Sequence, residues 1–507
     1  MSQRVRLRDI FIGNVDGEEE SERYNFEQLF YNKDSKYDEI MSPNKFIISG
    51  RKGTGKTYLA KYIIKKCSEK QISCKLLKKE DFKLQKFLDL QYRDLKEDEL
   101  PLFWKWTFLL QMANVMLSEQ KIKTKIPWSS SNKLKKFIKL KYPDGVFRLK
   151  DFNKTQSRKS NLTGNQKITG QSIAATIEDL NSVSSNYGQR EYFESLNSLE
   201  SLVFKCLVKH KDIILIYDDL DDLEDSINNH HFYCKLLISM LEMIQYYNRK
   251  FQRIKKNNTK IIALLRSDII DDIHSNSSNS NKLTSEGRVN LYWIDKIYQS
   301  PEEHPLMEMI LNKIKKSLNN NSNLTNKELY KLYFPKKIRG KEVIDYLLDY
   351  SFGRPRDIVS YLNFIKSTNP EEYSFEPNSF LDCSQKYSRW FTDELKNEIS
   401  INEHKNMILN GLQLINNFKR QNFSYSQIDL FYERNKGDYP NIVNLKETLK
   451  YLYKLGVIGN SWRHGKPKPD GSYNYRYSWG YRDDASEVPN FSNTFVVHYG
   501  FRKHFSL

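Results

Sequence analysis

The 507-residue chain is 39% hydrophobic and 28% charged, carries 32 Tyr and 28 Phe, and sets 81 Lys+Arg against 63 Asp+Glu for a net charge of +18. The aromatic load excludes wholesale disorder, the length predicts about two to four domains, and the basic excess points to a polyanionic partner, either nucleic acid or an acidic protein face. The aliphatic run Ile213–Ile216 is far short of the ~20 residues of a membrane span, the opening MSQRVRLRDIFIG lacks the apolar segment of a secretory signal, and five scattered cysteines without a CxxC pair predict neither a disulfide framework nor a zinc site.

Residues 1–40 are mildly acidic, with aromatics expected to pack on a later domain. A short apolar strand, Phe46–Ile48, is followed by a glycine-rich turn and an amphipathic helix from Lys56 to about Lys66, the start of an α/β unit. Residues 85–145 read as long helices of mixed charge, including Trp104–Met116, and residues 153–190 have the Ser/Asn/Gly/Thr/Gln composition of a poorly packed insertion. A helix over Arg190–Val208 leads into a buried strand, Ile213–Tyr217, and a second follows at Ile261–Leu265, a pattern that predicts a parallel sheet covered on both faces. From 301 to 370 the chain reads as helical. Helices near Lys405–Phe418, Ser426–Arg434 and Ile442–Leu455 then precede a strand at Gly456–Gly459 and a hairpin over Ser461–Trp479, the order of a winged helix.

The chemistry begins at Gly50-Arg51-Lys52-Gly53-Thr54-Gly55-Lys56-Thr57, a G-x-x-x-x-G-K-T run with a strand before it and a helix after it. Its glycines let the backbone turn its N–H groups inward, the helix N-terminus adds a positive end, Lys56 reaches the β- and γ-phosphates of a nucleotide, and Thr57 ligates Mg²⁺. The strand Ile213–Tyr217 delivers Asp218-Asp219-Leu220-Asp221-Asp222 at its carboxyl end. Asp218 is the expected residue of the Mg²⁺ shell, and Asp219 stands where many ATPases carry the glutamate that polarises the attacking water. Asp221 and Asp222 read as a helix cap and a first-turn acid. Strand Ile261–Leu265 ends in Arg266-Ser267-Asp268, where Arg266 either senses a γ-phosphate or pairs with Asp268. Gly353-Arg354-Pro355-Arg356-Asp357 opens a helix whose two arginines either reach phosphates from a lid or form a surface cap.

Taken in order, these four segments resemble the Walker A, Walker B, sensor 1 and lid elements of the AAA+/STAND branch of P-loop ATPases, and most closely stand-alone bacterial P-loop ATPases with a C-terminal winged helix, often encoded beside effectors in defence loci. The tail VVHYGFRKHF is similar to the ending of that group. The resemblance covers about residues 40–80 and 205–507, and the stretch from Thr57 to Asp218 is about twice the usual length. It implies ATP and Mg²⁺ as cofactors, with Gly50–Thr57, Arg354, Pro355 and Arg356 around the nucleotide, Thr57 and Asp218 on the metal, and Lys56, Asp219 and Arg266 in hydrolysis. Arg266 and Arg288 are candidates for an arginine finger in trans.

The expected fold class is α/β: a parallel-sheet P-loop NTPase core with a helical insertion, a helical lid and a C-terminal winged-helix domain. The expected divisions are 1–40 for an N-terminal segment, 41–300 for the core with its insertion at 85–200, 301–370 for the lid and 371–507 for the winged helix. Charge is concentrated: Lys121–Ser160 holds 13 Lys/Arg against two Asp, a net +11, interleaved with Trp128, Phe137, Tyr142 and Phe147. That block is either a nucleic-acid groove, a solvated helix face over core aromatics, or a surface for an acidic protein. The hairpin tip Trp462–Gly471 is basic and turn-rich, suited to phosphates or to packing. The expectation is a cytoplasmic, homo-oligomeric ATP-dependent switch, away from membranes, controlling an effector encoded nearby in antiviral defence. The alternatives are a DNA-dependent ATPase of replication, transposition or repair, and a nucleotide-stabilised scaffold that does not hydrolyse.

Overall fold

The computed structural model describes residues 5–507 apart from 79–80, 82–99, 119–128, 142–194, 222, 224–226, 228, 277–279, 295–296, 319–323, 401, 403, 467–472, 483–485 and 487. Most of the 85–200 insertion, Asp222 and the hairpin tip beyond Lys466 therefore lie outside the described residues. The chain divides into two units: residues 1–35, 50–58 and 291–507 form one, and residues 36–49 and 59–290 the other.

Continuous apolar runs dictate the inner strands of the sheet of the second unit. Strands β1 (Ile47–Ser49), β2 (Ser73–Leu77), β3 (Ile213–Tyr217), β4 (Lys260–Leu265) and β5 (Arg288–Asn290) are all parallel, in the order β2-β3-β4-β1-β5. β3 and β4 are buried along their whole length, as the inner strands of a covered parallel sheet must be. The outer strands were harder to foresee. β5 is only Arg-Val-Asn, and one buried valine gives no periodic signal. After β1 comes helix α1 (Lys56–Glu69); α2 (Leu100–Ser118), α3 (Ser130–Lys141), helical residues 195–207, and α4 (His230–Arg253) follow. The Trp104 indole of α2 donates to the Leu236 carbonyl of α4 at 2.9 Å, and Phe108 meets Tyr217 of β3 edge-on at 5.4 Å. These large rings fix the α2–α4 layer on the sheet, each ring burying 150–250 Å² in general.

In the first unit, helices α5 (Pro305–Ser317), α6 (Asn326–Tyr333), α7 (Val343–Tyr350), α8 (Pro355–Thr368) and α9 (Pro377–Ile399) form one apolar core, which Leu7, Ile10 and Ile12 join. α6 starts at a capping box, Thr325 and Glu328 each satisfying the other's backbone N–H. Then come β6 (Asn422–Phe423), β7 (Ile458–His464), β8 (Asn474–Ser478) and β9 (Thr494–Val497), an antiparallel sheet in the order β6-β9-β7-β8. Helices α10 (Lys405–Phe418), α11 (Tyr425–Arg434) and α12 (Leu445–Lys454) share its core. The molecule is thus a mixed α/β protein with a parallel five-stranded sheet and a helical C-terminal region. Among the described residues no helix is long and apolar enough to cross a membrane.

Candidate functional site

The loop 50–57 joins β1 to α1. Gly53 (φ +84°) and Gly55 (φ +97°) hold left-handed conformations that a side chain would strain. At Gly50 the constraint is close approach, because a Cβ there would meet the Thr54 hydroxyl at 2.4 Å and the Leu291 carbonyl at 3.1 Å. The loop is braced internally. The Thr54 hydroxyl donates to the Arg51 carbonyl at 2.9 Å, and the Trp293 indole donates to the Thr54 carbonyl at 2.9 Å. Lys56 Nζ turns back over the loop to the carbonyls of Gly50 (3.0 Å) and Arg51 (3.3 Å). Thr57 lies in the first turn of α1.

The side chains of the loop and of α8 meet. Arg354, the N-cap residue of α8, is fully buried; its Nε and Nη2 take the Asp357 carboxylate, and its Nη1 reaches Glu398 and the Lys52 carbonyl at 3.0 Å. Burial would lower the pKa of this guanidinium, but the two carboxylates outweigh it and hold the group firmly charged. Glu398 also stands 3.6 Å from Arg51, whose guanidinium lies 4.8 Å over the Phe352 ring and donates to the Leu455 carbonyl at 3.4 Å. Sequence reading left Arg354 open between phosphate contact and surface cap. The structure makes it the centre of a buried ion cluster that carries the backbone of Lys52.

Arg356 behaves differently. Its N–H donates to the Gly53 carbonyl at 3.4 Å, its side-chain carbons lie where a Gly53 Cβ would approach to 3.1 Å, and Nη1 pairs with Glu394 at 3.1 Å. Its Nε is buried without a hydrogen-bond partner among the described residues. Arg356 lines a cleft of about 660 Å³ together with Asn14, Arg23, Asn363, Lys366 and Glu394. Pro355 starts the helix, its missing N–H costing nothing there.

Three residues beside the loop gave no sequence signal. Tyr58, next to Thr57, donates to the Glu20 carboxylate, which pairs with Lys313 and accepts the Asn14 N–H at 2.8 Å. Burial lowers the Lys313 amine and raises the Tyr58 phenol, and the Glu20 charge adds to the latter. The N-terminal acidic segment is thereby tied to the first turn of α1. Glu398 was equally silent, since its partner lies 44 residues away. Asp357 stands three residues after Arg354 in the same motif, but the sequence reading gave it no role.

In the sheet unit, Asp218 follows β3 at the carboxyl edge of the sheet and is 5% exposed. Its carboxylate accepts the Asp219 N–H at 3.0 Å, and Asp219 itself sits at φ +56°. Left-handed backbone is tolerated better by Asp than by most residues and concentrates at functional turns. Arg266 makes a bidentate pair with Asp268 (3.1 and 2.6 Å) and lies 3.6 Å from Asp221, the pairing that sequence reading held as one alternative. Arg288, on β5, binds the Ser49 hydroxyl and the Asn290 side chain.

Of the basic block Lys121–Ser160, α3 is described. Leu134 is buried, Phe137 and Ile138 pack against the core, and Lys133, Lys135, Lys136 and Lys139 face solvent. Phe137 is therefore a core ring beneath a solvated face; Trp128, Tyr142 and Phe147 lie outside the described residues.

Residues 304–396 match the family model of the FunZ-associated C-terminal helical domain. The match spans α5 to α8 and most of α9, the helices that carry Arg354, Arg356, Asp357 and Glu394. No match to the chain was found among curated proteins.

Proposed function

We propose that the chain is an ATP-binding, slowly hydrolysing switch whose loop Gly50–Thr57 holds the nucleotide phosphates and whose helix α8 reports their presence to a partner effector, in bacterial antiviral defence. The observation that carries the reading is the contact of Arg356 with Gly53. A glycine-rich loop with two left-handed glycines, opening a helix behind a parallel strand, suits phosphate binding. An arginine laid on that loop, with a buried unpaired Nε and an open cleft beside it, suits a charge-assisted contact to the same ligand. In this reading Arg354 is a positioning residue, Arg356 the phosphate contact, and the 405–497 region a winged helix. The helical segment shared with FunZ-associated chains supports a partner protein.

Thr57 and Asp218 are the residues the proposal gives to Mg²⁺, a hydroxyl and a buried carboxylate being hard oxygen donors of the right class. When bound, the ion would neutralise phosphate charge. Asp219, shorter than the usual glutamate and held left-handed, is why hydrolysis is expected to be slow. The test is equilibrium binding of a fluorescent ATP analogue. Lys56→Ala and Arg356→Ala should each weaken binding by roughly ten- to hundredfold, the worth of one hydrogen bond to a charged group. Thr57→Val and Asp218→Asn should each reduce the gain in affinity that Mg²⁺ gives. Unchanged ATP binding by folded Lys56→Ala protein sinks the assignment.

A further inference from the structure

The antiparallel sheet contains a two-stranded ribbon that leaves the core. β7 is buried from Ile458 to Ser461 and exposed from Trp462 to His464; β8 is exposed from Asn474 to Tyr477. Register sets Trp462 opposite Arg476, Arg463 opposite Tyr475 and His464 opposite Asn474. Successive side chains of a strand point to opposite faces. A ring and a cation therefore stand side by side on each face of the ribbon: Trp462 with Arg476 on one, Tyr475 with Arg463 on the other.

Two features set this ribbon apart. First, the described residues 458–466 and 473–478 contain no Asp or Glu, while Arg463, Lys466 and Arg476 are exposed and none is in an ion pair with another described residue. Second, its rings are in water: Trp462 is 36% exposed, Tyr475 51% and Tyr477 44%, half of the six exposed large aromatic side chains among the described residues. Exposed apolar groups scattered singly need no explanation, but a cluster of them marks a contact surface. Arg463 already lies 4.5 Å over the Tyr473 ring, so flat cations and rings alternate along the ribbon.

We infer that the β7–β8 ribbon is a docking surface for single-stranded nucleic acid. Phosphates alone would require only cations. Unpaired bases offer π-faces that stack on Tyr and Trp whatever the sequence, while the arginines neutralise the backbone between them. Paired bases are stacked on each other and leave the rings without a partner. The inference does not rest on the nucleotide reading, since none of these residues belongs to the loop or to α8.

The experiment is fluorescence anisotropy of the full-length protein with a labelled oligothymidylate of about 20 nucleotides and with a duplex of equal length, a length covering one to several typical sites. Trp462→Ala and Tyr475→Ala should each weaken single-strand binding about tenfold, and Tyr475→Phe, which keeps the ring, should restore it. Arg463→Gln with Arg476→Gln should lower the log–log salt slope of single-strand binding by about 1.4, the worth of two phosphate contacts. Circular dichroism of each variant separates lost binding from lost folding. Three results would overturn the inference: single-strand affinity indifferent to both ring variants, duplex bound more tightly than single strand, or polyglutamate competing as well as the oligonucleotide. Loss of binding on replacing Lys133, Lys135, Lys136 and Lys139, with the ribbon variants silent, would overturn it too.

Discussion

The arginines around the loop and those on the ribbon look alike in sequence and have opposite fates in the fold. Arg354 has no exposed surface to speak of and two carboxylates on its guanidinium. Arg463 and Arg476 are exposed and have no carboxylate partner among the described residues. A buried guanidinium cannot shed its proton and so needs counter-charge, which Arg354 finds in Asp357 and Glu398. A solvated cation needs no partner within the chain, and its lack of one leaves it available to an outside anion. What separates a structural arginine from a recognition arginine here is the company of acids, more than charge or local motif.

The largest effect should come from breaking the buried cluster. Arg354→Ala leaves two carboxylates buried without their cation, a change that costs about 3–5 kcal/mol in comparable sites. Urea unfolding of the full chain should show that loss. If Arg354→Ala keeps parental stability while ATP affinity falls sharply, Arg354 is a ligand contact and the contrast with the ribbon collapses. Removing Glu398 as Gln should cost less, because Asp357 still holds the guanidinium in a bidentate pair.

Lys260 sharpens the comparison as a third kind of cation, buried with carbonyls in place of carboxylates. Its Nζ donates to the carbonyls of Ile40 at 2.7 Å and Ser42 at 2.5 Å, and burial pulls its pKa down to about 7. In the unfolded chain the amine keeps its proton up to about 10.4. Between these values the unfolded state binds more protons, so stability should rise with pH from about 7 towards 10, by at most about 1.4 kcal/mol per pH unit. Lys260→Met should flatten that slope. A stability that is flat over this range in the parent chain would show that the two carbonyls keep the ammonium charged.

How much of this was legible follows from the range of the interactions. The inner strands β3 and β4 were readable because five or six consecutive apolar residues have few alternatives. α10, with its repeating apolar face, was readable for the same reason. The phosphate-loop motif is local; the Arg354–Asp357 pair is local too, at three residues' spacing, but the motif alone did not separate it from a phosphate contact or a surface cap. Glu398, Trp293 and the Glu20–Tyr58–Lys313 group were not readable, since each reaches its partner across tens to hundreds of residues. The edge strand β5 and the closing strand β9 are too short to announce themselves. The net charge of +18 hinted at a polyanion, but whether a given cation was spent internally depended on long-range pairing that composition does not encode.

The smallest expected effect is the other half of the comparison. Arg476→Ala removes a solvated cation that holds no carboxylate among the described residues, so it should change the free energy of unfolding by less than about 0.5 kcal/mol. Arg463 also sits over the Tyr473 ring, and an exposed contact of that kind is worth about 0.5–1 kcal/mol. Arg463→Ala should therefore be slightly the more costly of the two. The measurement is paired: urea unfolding for stability and oligothymidylate binding for function, on the same preparations. Near-parental stability with weakened binding places these arginines with the ligand. A loss above 1 kcal/mol in Arg476→Ala would mean that the ribbon uses its cations to hold itself together, as the α8 cluster does, and would remove the distinction between the two regions.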